Sequence, residues 1–279
     1  MIIVTGVNGQ LGYDVVKELN RRGIPCRGID IDDLDITDSK AVMEYIGKEK
    51  PEAVIHCAAY TAVDKAEEDV EKCTLVNVNG TENIALACKK TGSKMMYIST
   101  DYVFPGNGET EYGIDDEKAP QSVYGRTKLD GEYKVLENTD KFFIVRISWV
   151  FGKNGNNFIK TMLRLSETKK ELNVVCDQIG SPTYTADLAP LLCDMIVTEK
   201  YGIYHATNEG FCSWAEFAKA IFEKSGKDVK VTFISSDKYP AKAKRPLNSR
   251  LSKASLDNAG FSRLPSWESA LERYLDEIS

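Results

Sequence analysis

Residues 2–12 read Ile2-Ile3-Val4-Thr5-Gly6-Val7-Asn8-Gly9-Gln10-Leu11-Gly12, and this stretch decides the fold. A short apolar run leads into three glycines spaced Gly-x-x-Gly-x-x-Gly, and an amphipathic stretch from Gln10 to Arg22 follows. A strand that turns sharply into a helix needs glycine where the backbone doubles back. The helix start then offers free N–H groups and the positive end of its dipole to a pyrophosphate. Asp30 ends the next apolar run, 18 residues beyond Gly12, where a carboxylate can accept hydrogen bonds from the adenosine ribose hydroxyls. Asp30 would repel a 2′-phosphate, and Ile31-Asp32-Asp33 supplies no cation. The expected cofactor is therefore NADH or NADPH, with NADH preferred.

Outward from this stretch, short apolar runs at Cys26–Asp30, Ala53–Cys57, Lys94–Ser99 and Phe142–Ser148 alternate with amphipathic stretches at Ser39–Lys48, Asp64–Thr91 and Ser122–Asn138. Such alternation implies an α/β fold, a Rossmann-type doubly wound parallel sheet with helices on both faces. After Trp149 the texture changes to a Gly- and Asn-rich segment, then mixed short elements. Residues 1–150 are expected to form the dinucleotide-binding domain. Residues 151–279 would form a smaller, mainly substrate-binding part packed over the strand ends, with a surface loop at Ser235–Arg250 and a closing helix at Ser266–Ile278.

Composition narrows the class. With 36 Lys plus Arg against 42 Asp plus Glu, the net charge of -6 gives no broad electrostatic case for nucleic acid or an anionic membrane as partner. The seven cysteines are scattered and none stands in a CxxC spacing, so no zinc site or redox pair is expected. Met-Ile-Ile-Val-Thr-Gly lacks the features of a signal peptide and no 18-residue apolar window occurs, which makes a cytoplasmic location the default expectation.

Tyr124-Gly125-Arg126-Thr127-Lys128 puts a phenol and an ammonium on one helical face. Spacing alone is weak: 13 Tyr and 26 Lys in 279 residues give about one such pair by chance, and Tyr13 with Lys17 is a second. Ile98-Ser99-Thr100-Asp101, at the end of the fourth strand, singles out Tyr124, because open α/β sheets bind ligands at that edge. Hydride delivered to a carbonyl leaves an alkoxide. Tyr124 would protonate it, Thr100 would hydrogen-bond to it, and Lys128 would hold the nicotinamide ribose while favouring the phenolate. Arg245, in a basic Pro-bounded loop, is expected to pair with substrate diphosphate oxygens, although it also reads as a solvated loop arginine. His56 and His205, the only histidines, read as packing residues rather than ligands.

These residues resemble the extended short-chain dehydrogenase/reductases, and within them the dTDP-4-dehydrorhamnose reductases. The likeness runs along the whole chain: Gly6 to Gly12, His56 to Asp64, Ser99 to Phe104, Tyr124 to Lys128, Ser148-Trp149-Val150, Gly155 to Phe158, Asp177 to Thr183, and Arg245-Pro246. It implies a Thr100, Tyr124, Lys128 triad. It also implies a dinucleotide held by Gly6, Gly9, Gln10, Leu11, Gly12, Asp30, Asp35, Ile36, Ala58, Ala59, Tyr60, Tyr124 and Lys128. A dTDP-sugar would meet Thr100, Asp101 and Trp149, although Trp149 also reads as core and Asp101 as a turn cap. Some relatives dimerise through a magnesium ion held by glutamates. Here the position after Gly12 is Tyr13-Asp14, so no metal is expected, while a homodimer is allowed. Two other functions stand beside the reductase. One is a related epimerase or dehydratase; dehydratases resemble Thr-Asp-Glu after the strand, with the carboxylates doing acid/base work at the sugar, and Tyr102 as the third residue here argues against dehydration. The other is a dinucleotide-binding regulatory subunit without turnover, against which the intact triad weighs.

Overall fold

Alternate residues of the first strand, β1 (Ile2–Thr5), point to opposite sides: Ile2 and Val4 enter one apolar cluster and Ile3 another. A strand apolar on both faces must be covered on both. The computed structural model, which describes residues 1–279, supplies that cover. With β2 (Cys26–Ile29), β3 (Ala53–His56), β4 (Lys94–Thr100), β5 (Phe142–Ile147) and β6 (Gly202–His205), β1 forms a parallel sheet of order β6-β5-β4-β3-β1-β2. On one face Val15 and Leu19 of α1 (Gln10–Arg21) meet Leu188, Leu192 and Met195 of the helix Thr185–Ile196. On the other face lie Val42 and Ile46 of α2 (Ser39–Glu49), Ile84 and Cys88 of α3 (Thr81–Thr91), and Val135 of α4 (Val123–Asn138). The chain leaves β1 for β2 on one side and returns to β3 on the other, so the crevice between the ends of β1 and β3 is where a ligand is expected.

The division at residue 150 needs amending in one respect: the sheet's edge strand β6 and the helix Thr185–Ile196 belong to the first layer structure although they lie far beyond it. The remainder packs around its own cluster of Phe151, Ile159, Phe217, Trp267, Leu271 and Tyr274. Trp267–Ile278 closes the chain with Ser266 as its cap. The segment Ser235–Arg250 is less open than its composition suggests, since Ala243, Asn248 and Ser249 are buried and Asn248-Ser249 pairs in a small sheet.

The amphipathic stretch Asp64–Thr91 is not one helix. It breaks into Val63–Ala66, Val70–Thr74, a wide π-type turn at Leu75–Gly80, and α3. A Cβ on Gly80 would sit 2.8 Å from the Ile36 side chain, so glycine lets the turn settle on the loop that follows β2. No helix is long and apolar enough to cross a membrane.

Candidate active site

The glycine loop is packed against itself. Gly6 has φ of +71°, a Cβ there would lie 2.7 Å from Ala58 N, and one on Gly12 would lie 2.4 Å from Gly6 O. No side chain caps the start of α1 and its first turn carries no acid, so its N–H groups remain for an anion. Thr5 Oγ1 accepts from Ala58 N at 3.1 Å and meets His56 Nδ1 at 2.8 Å, locking the ends of β1 and β3 together. Burial holds His56 neutral, at about 3, with Lys128 adding to the effect; it serves packing.

A cleft of about 810 Å³ opens over these strand ends. It gathers Gly6, Gly9, Gln10, Leu11, Gly12, Asp30, Asp35, Ile36, Ala58, Ala59, Tyr60, Thr100, Asp101, Tyr124, Lys128 and Trp149. Some of them have other engagements. Asp30 Oδ2 accepts from Asn8 N at 2.9 Å, Asp35 caps Thr37, and the Gln10 side chain accepts from Gly152 N and Asn157 Nδ2. Arg245 alone lies outside. It lines an adjoining cleft of about 1070 Å³, where it pairs with Asp64 and donates to Tyr102 Oη. Tyr102 and Trp214 border both clefts.

At the reacting end, the Thr100 hydroxyl donates to Asp101 Oδ1 at 2.9 Å, and Asp101 Oδ2 accepts from Ser249 Oγ at 2.5 Å. Burial pushes the Asp101 carboxyl up to about 6, against the pull of Ser249 and Thr100. Tyr124 stands edge-on to Tyr102 with ring centroids 5.4 Å apart. Lys128 Nζ donates to Ile98 O at 2.7 Å and lies 4.0 Å from the Tyr97 ring centre.

The electrostatics correct one expectation. Lys128 does not draw the phenol towards ionisation. Burial raises Tyr124 above its ordinary value, the facing Thr100 hydroxyl opposes this, and Asp101 adds to the rise. Burial also lowers Lys128 to about 7, against Glu132. Loss of hydration outweighs the neighbouring charge, and the Tyr124 phenol is protonated at neutral pH.

Three residues that sequence reasoning passed over shape the site. Asn77, in the π-type turn, accepts from Tyr60 N at 2.8 Å and donates to Tyr60 O and Thr127 Oγ1, so it holds the Ala58–Tyr60 segment. A π turn often marks a functional place, but nothing local in Leu75–Gly80 announces it. Trp214 stacks on Trp149 at 3.8 Å, while Trp149 itself has φ of +50°, backbone strain of the kind retained at ligand sites. Asn154 donates to Asn8 O at 2.8 Å and seats the 152–157 loop on the glycine loop.

Fold and cleft together define a dinucleotide-binding enzyme of the Rossmann type. The chain matches the RmlD substrate binding domain family over residues 1–279 and belongs to that family. It is 41% identical over 278 residues to the Bacillus subtilis spore coat polysaccharide biosynthesis protein SpsK, covering 100% of this chain and 98% of the relative. It is 40% identical to the dTDP-4-dehydrorhamnose reductase of Aggregatibacter actinomycetemcomitans, covering 97% of each. The crystal structure of the Bacillus anthracis dTDP-4-dehydrorhamnose reductase in complex with NADP is similar with a TM-score of 0.96 and 44% identity, covering 99% of this chain and 98% of that one.

Proposed function

We propose that this chain uses NADH or NADPH to reduce the 4-keto group of dTDP-4-dehydrorhamnose, giving dTDP-L-rhamnose for cell-surface polysaccharide synthesis. The observation that carries this reading is the single cleft with a glycine cradle at one end and Thr100, Tyr124 and Lys128 at the other. The cradle fits a dinucleotide: the backbone leaves no room for a Cβ at Gly6 or Gly12, and its helix start is uncapped. When bound and reduced, that cofactor supplies the hydride. Tyr124 gives its phenolic proton to the substrate oxygen, Thr100 turns its hydroxyl from Asp101 to the same oxygen, and Lys128 holds the nicotinamide ribose. Residues 151–279 contribute most of the adjoining cleft, which we assign to the nucleotide sugar; Trp214 borders both clefts and stacks on Trp149, which lines the first together with Asp101, so the sugar end would enter there.

A reductase of this kind consumes one reduced cofactor per sugar reduced. Absorbance at 340 nm against product yield checks this: product well in excess of oxidised cofactor would reassign the chain to an epimerase or dehydratase, and binding without consumption to a regulatory subunit.

Asp30 faces the cleft, and Lys128 is the only Lys or Arg lining it, so no cation stands ready for a 2′-phosphate. NADH is accordingly the preferred cofactor of the two. Asp30→Ser should move the ratio of kcat/KM values towards NADPH. A wild-type enzyme that strongly prefers NADPH would refute this assignment; the Bacillus anthracis relative was solved in complex with NADP.

Arg245 pairs with Asp64 through Nη2 in the adjoining cleft, and its remaining N–H donors are assigned to the substrate diphosphate. Arg245→Lys, which loses the paired donors, should raise KM for the nucleotide sugar several-fold and leave cofactor affinity alone. An unchanged KM would mean that Arg245 serves only the Asp64 tether.

A further inference from the structure

Beneath the face of α4 that carries Tyr124 and Lys128 lies a buried charge network. Glu132 follows Lys128 by one turn on the same face. Glu132, Lys128 and Arg146 on β5 are all buried. Arg146 Nε donates to Glu132 Oε1 at 2.8 Å and Nη2 to Oε2 at 2.7 Å, the paired geometry that guanidinium and carboxylate favour. Glu132 Oε1 also accepts from Ser99 Oγ at 2.5 Å. Arg146 Nη1 donates to Ile114 O at 3.0 Å and to His205 Nε2 at 3.3 Å. Arginine only donates, so His205 accepts at Nε2 and gives its Nδ1 proton to Ser252 O, which fixes a neutral tautomer. A buried ion pair of this sort is commonly replaceable by apolar residues without loss of stability, so its presence calls for another reason.

That reason is what the pair touches. Ser99 stands between Ile98, whose carbonyl accepts from Lys128, and Thr100. We propose that Glu132, braced by Arg146, is a positioning residue that pins the end of β4 through Ser99 and supplies the one negative charge facing the Lys128 ammonium. The proposal rests on the roles given above to Thr100, Tyr124 and Lys128. The other groups around Lys128 are Tyr124 on α4, Tyr97 on β4, His56 on β3, Cys57 after it, and Cys73 from Val70–Thr74. Burial raises the tyrosines and thiols, Cys57 to about 12, and lowers His56, so all are uncharged near neutral pH. Among the groups that oppose the desolvation of Lys128, Glu132 comes first, ahead of the Cys57 and Cys73 thiols. Removing its carboxylate lowers the ammonium's pKa further, and the cation disappears at a lower pH.

The test compares wild type with Glu132→Gln/Arg146→Met, which removes both charges so that no unpaired guanidinium is left buried, and with Ser99→Ala. The pH dependence of kcat/KM is measured beside the NMR titration of Lys128 Cε in cofactor-free enzyme, its resonance assigned by its absence from Lys128→Arg. In the double variant the alkaline limb and the Lys128 titration should both move down by about one pH unit. In Ser99→Ala kcat should fall by about tenfold with the limb unmoved. A folded double variant with a wild-type Lys128 titration overturns the proposal. Should that variant not fold, an unchanged kcat in Ser99→Ala overturns it instead. If Tyr124→Phe and Lys128→Arg themselves keep full activity, the catalytic roles fail; if they lose activity while the Glu132 and Ser99 variants match wild type, only this proposal fails.

Discussion

Tyr124→Phe is expected to lower kcat by on the order of 10² to 10⁴, the usual contribution of a positioned general acid. Dinucleotide affinity should not change. The substitution removes one oxygen and keeps the ring that packs edge-on against Tyr102, so the fold has no reason to respond. Burial keeps the phenol protonated, which is the state a donor needs in the reducing direction. Tyr13→Phe is the matched control. Tyr13 has the same spacing to a lysine, but it is 42% exposed on α1, and Lys17 pairs with Glu277 at 3.5 Å instead of entering the cleft. It should stay within a few-fold of wild type. Comparable losses in the two variants, or a fully active Tyr124→Phe, would place the proton donor elsewhere.

Gly12→Ala is expected to abolish productive dinucleotide binding, with kcat/KM falling by on the order of 10² or more, because sub-ångström placement of the reacting centres is lost. The added Cβ would lie 2.4 Å from Gly6 O and 2.8 Å from Gly6 C, both backbone atoms that no side-chain rotation can clear. The loop must open away from Ala58, and overpacking of this kind costs about 1–3 kcal/mol. Gly47→Ala supplies the contrast. Gly47 lies within α2 and a Cβ there meets nothing within 4 Å, so the change should raise stability by up to about 1 kcal/mol and leave the cofactor's Kd alone. Thermal melts and cofactor titrations of both variants provide the check. A Gly12→Ala enzyme that binds cofactor normally would contradict the cradle geometry.

Much of this was legible because it is local. A strand, a tight turn and a helix each leave a short-range pattern, and the run from Ile2 to Arg21 contains all three. The same holds for α4, whose Ser122 cap accepts from Gly125 N and whose helical period brings Tyr124, Lys128 and Glu132 to one face. Residue chemistry at a strand end also reads locally, which is how Thr100 could be matched to Tyr124.

What the sequence could not determine depends on segments that are distant along the chain. No pattern within Gly202–His205 says that it will pair with β5, and none within Asn77 says that it will reach Tyr60 across 17 residues. Trp214 meets Trp149 only after the 64 intervening positions are folded. The charge states are the clearest case. From spacing alone, Lys128 should help ionise Tyr124, because Coulomb attraction is all that a sequence displays. Burial is a sum over every element that closes on the site, and it reverses the outcome by stripping hydration from both groups. The sequence by itself determined the sheet's first crossing and the glycine cradle, and it singled out Tyr124 as the proposed proton donor. Only the tertiary structure decided which of two tyrosines lines the cleft, where Arg245 is held and how far burial lowers Lys128, because those depend on solvent exclusion and long-range contact.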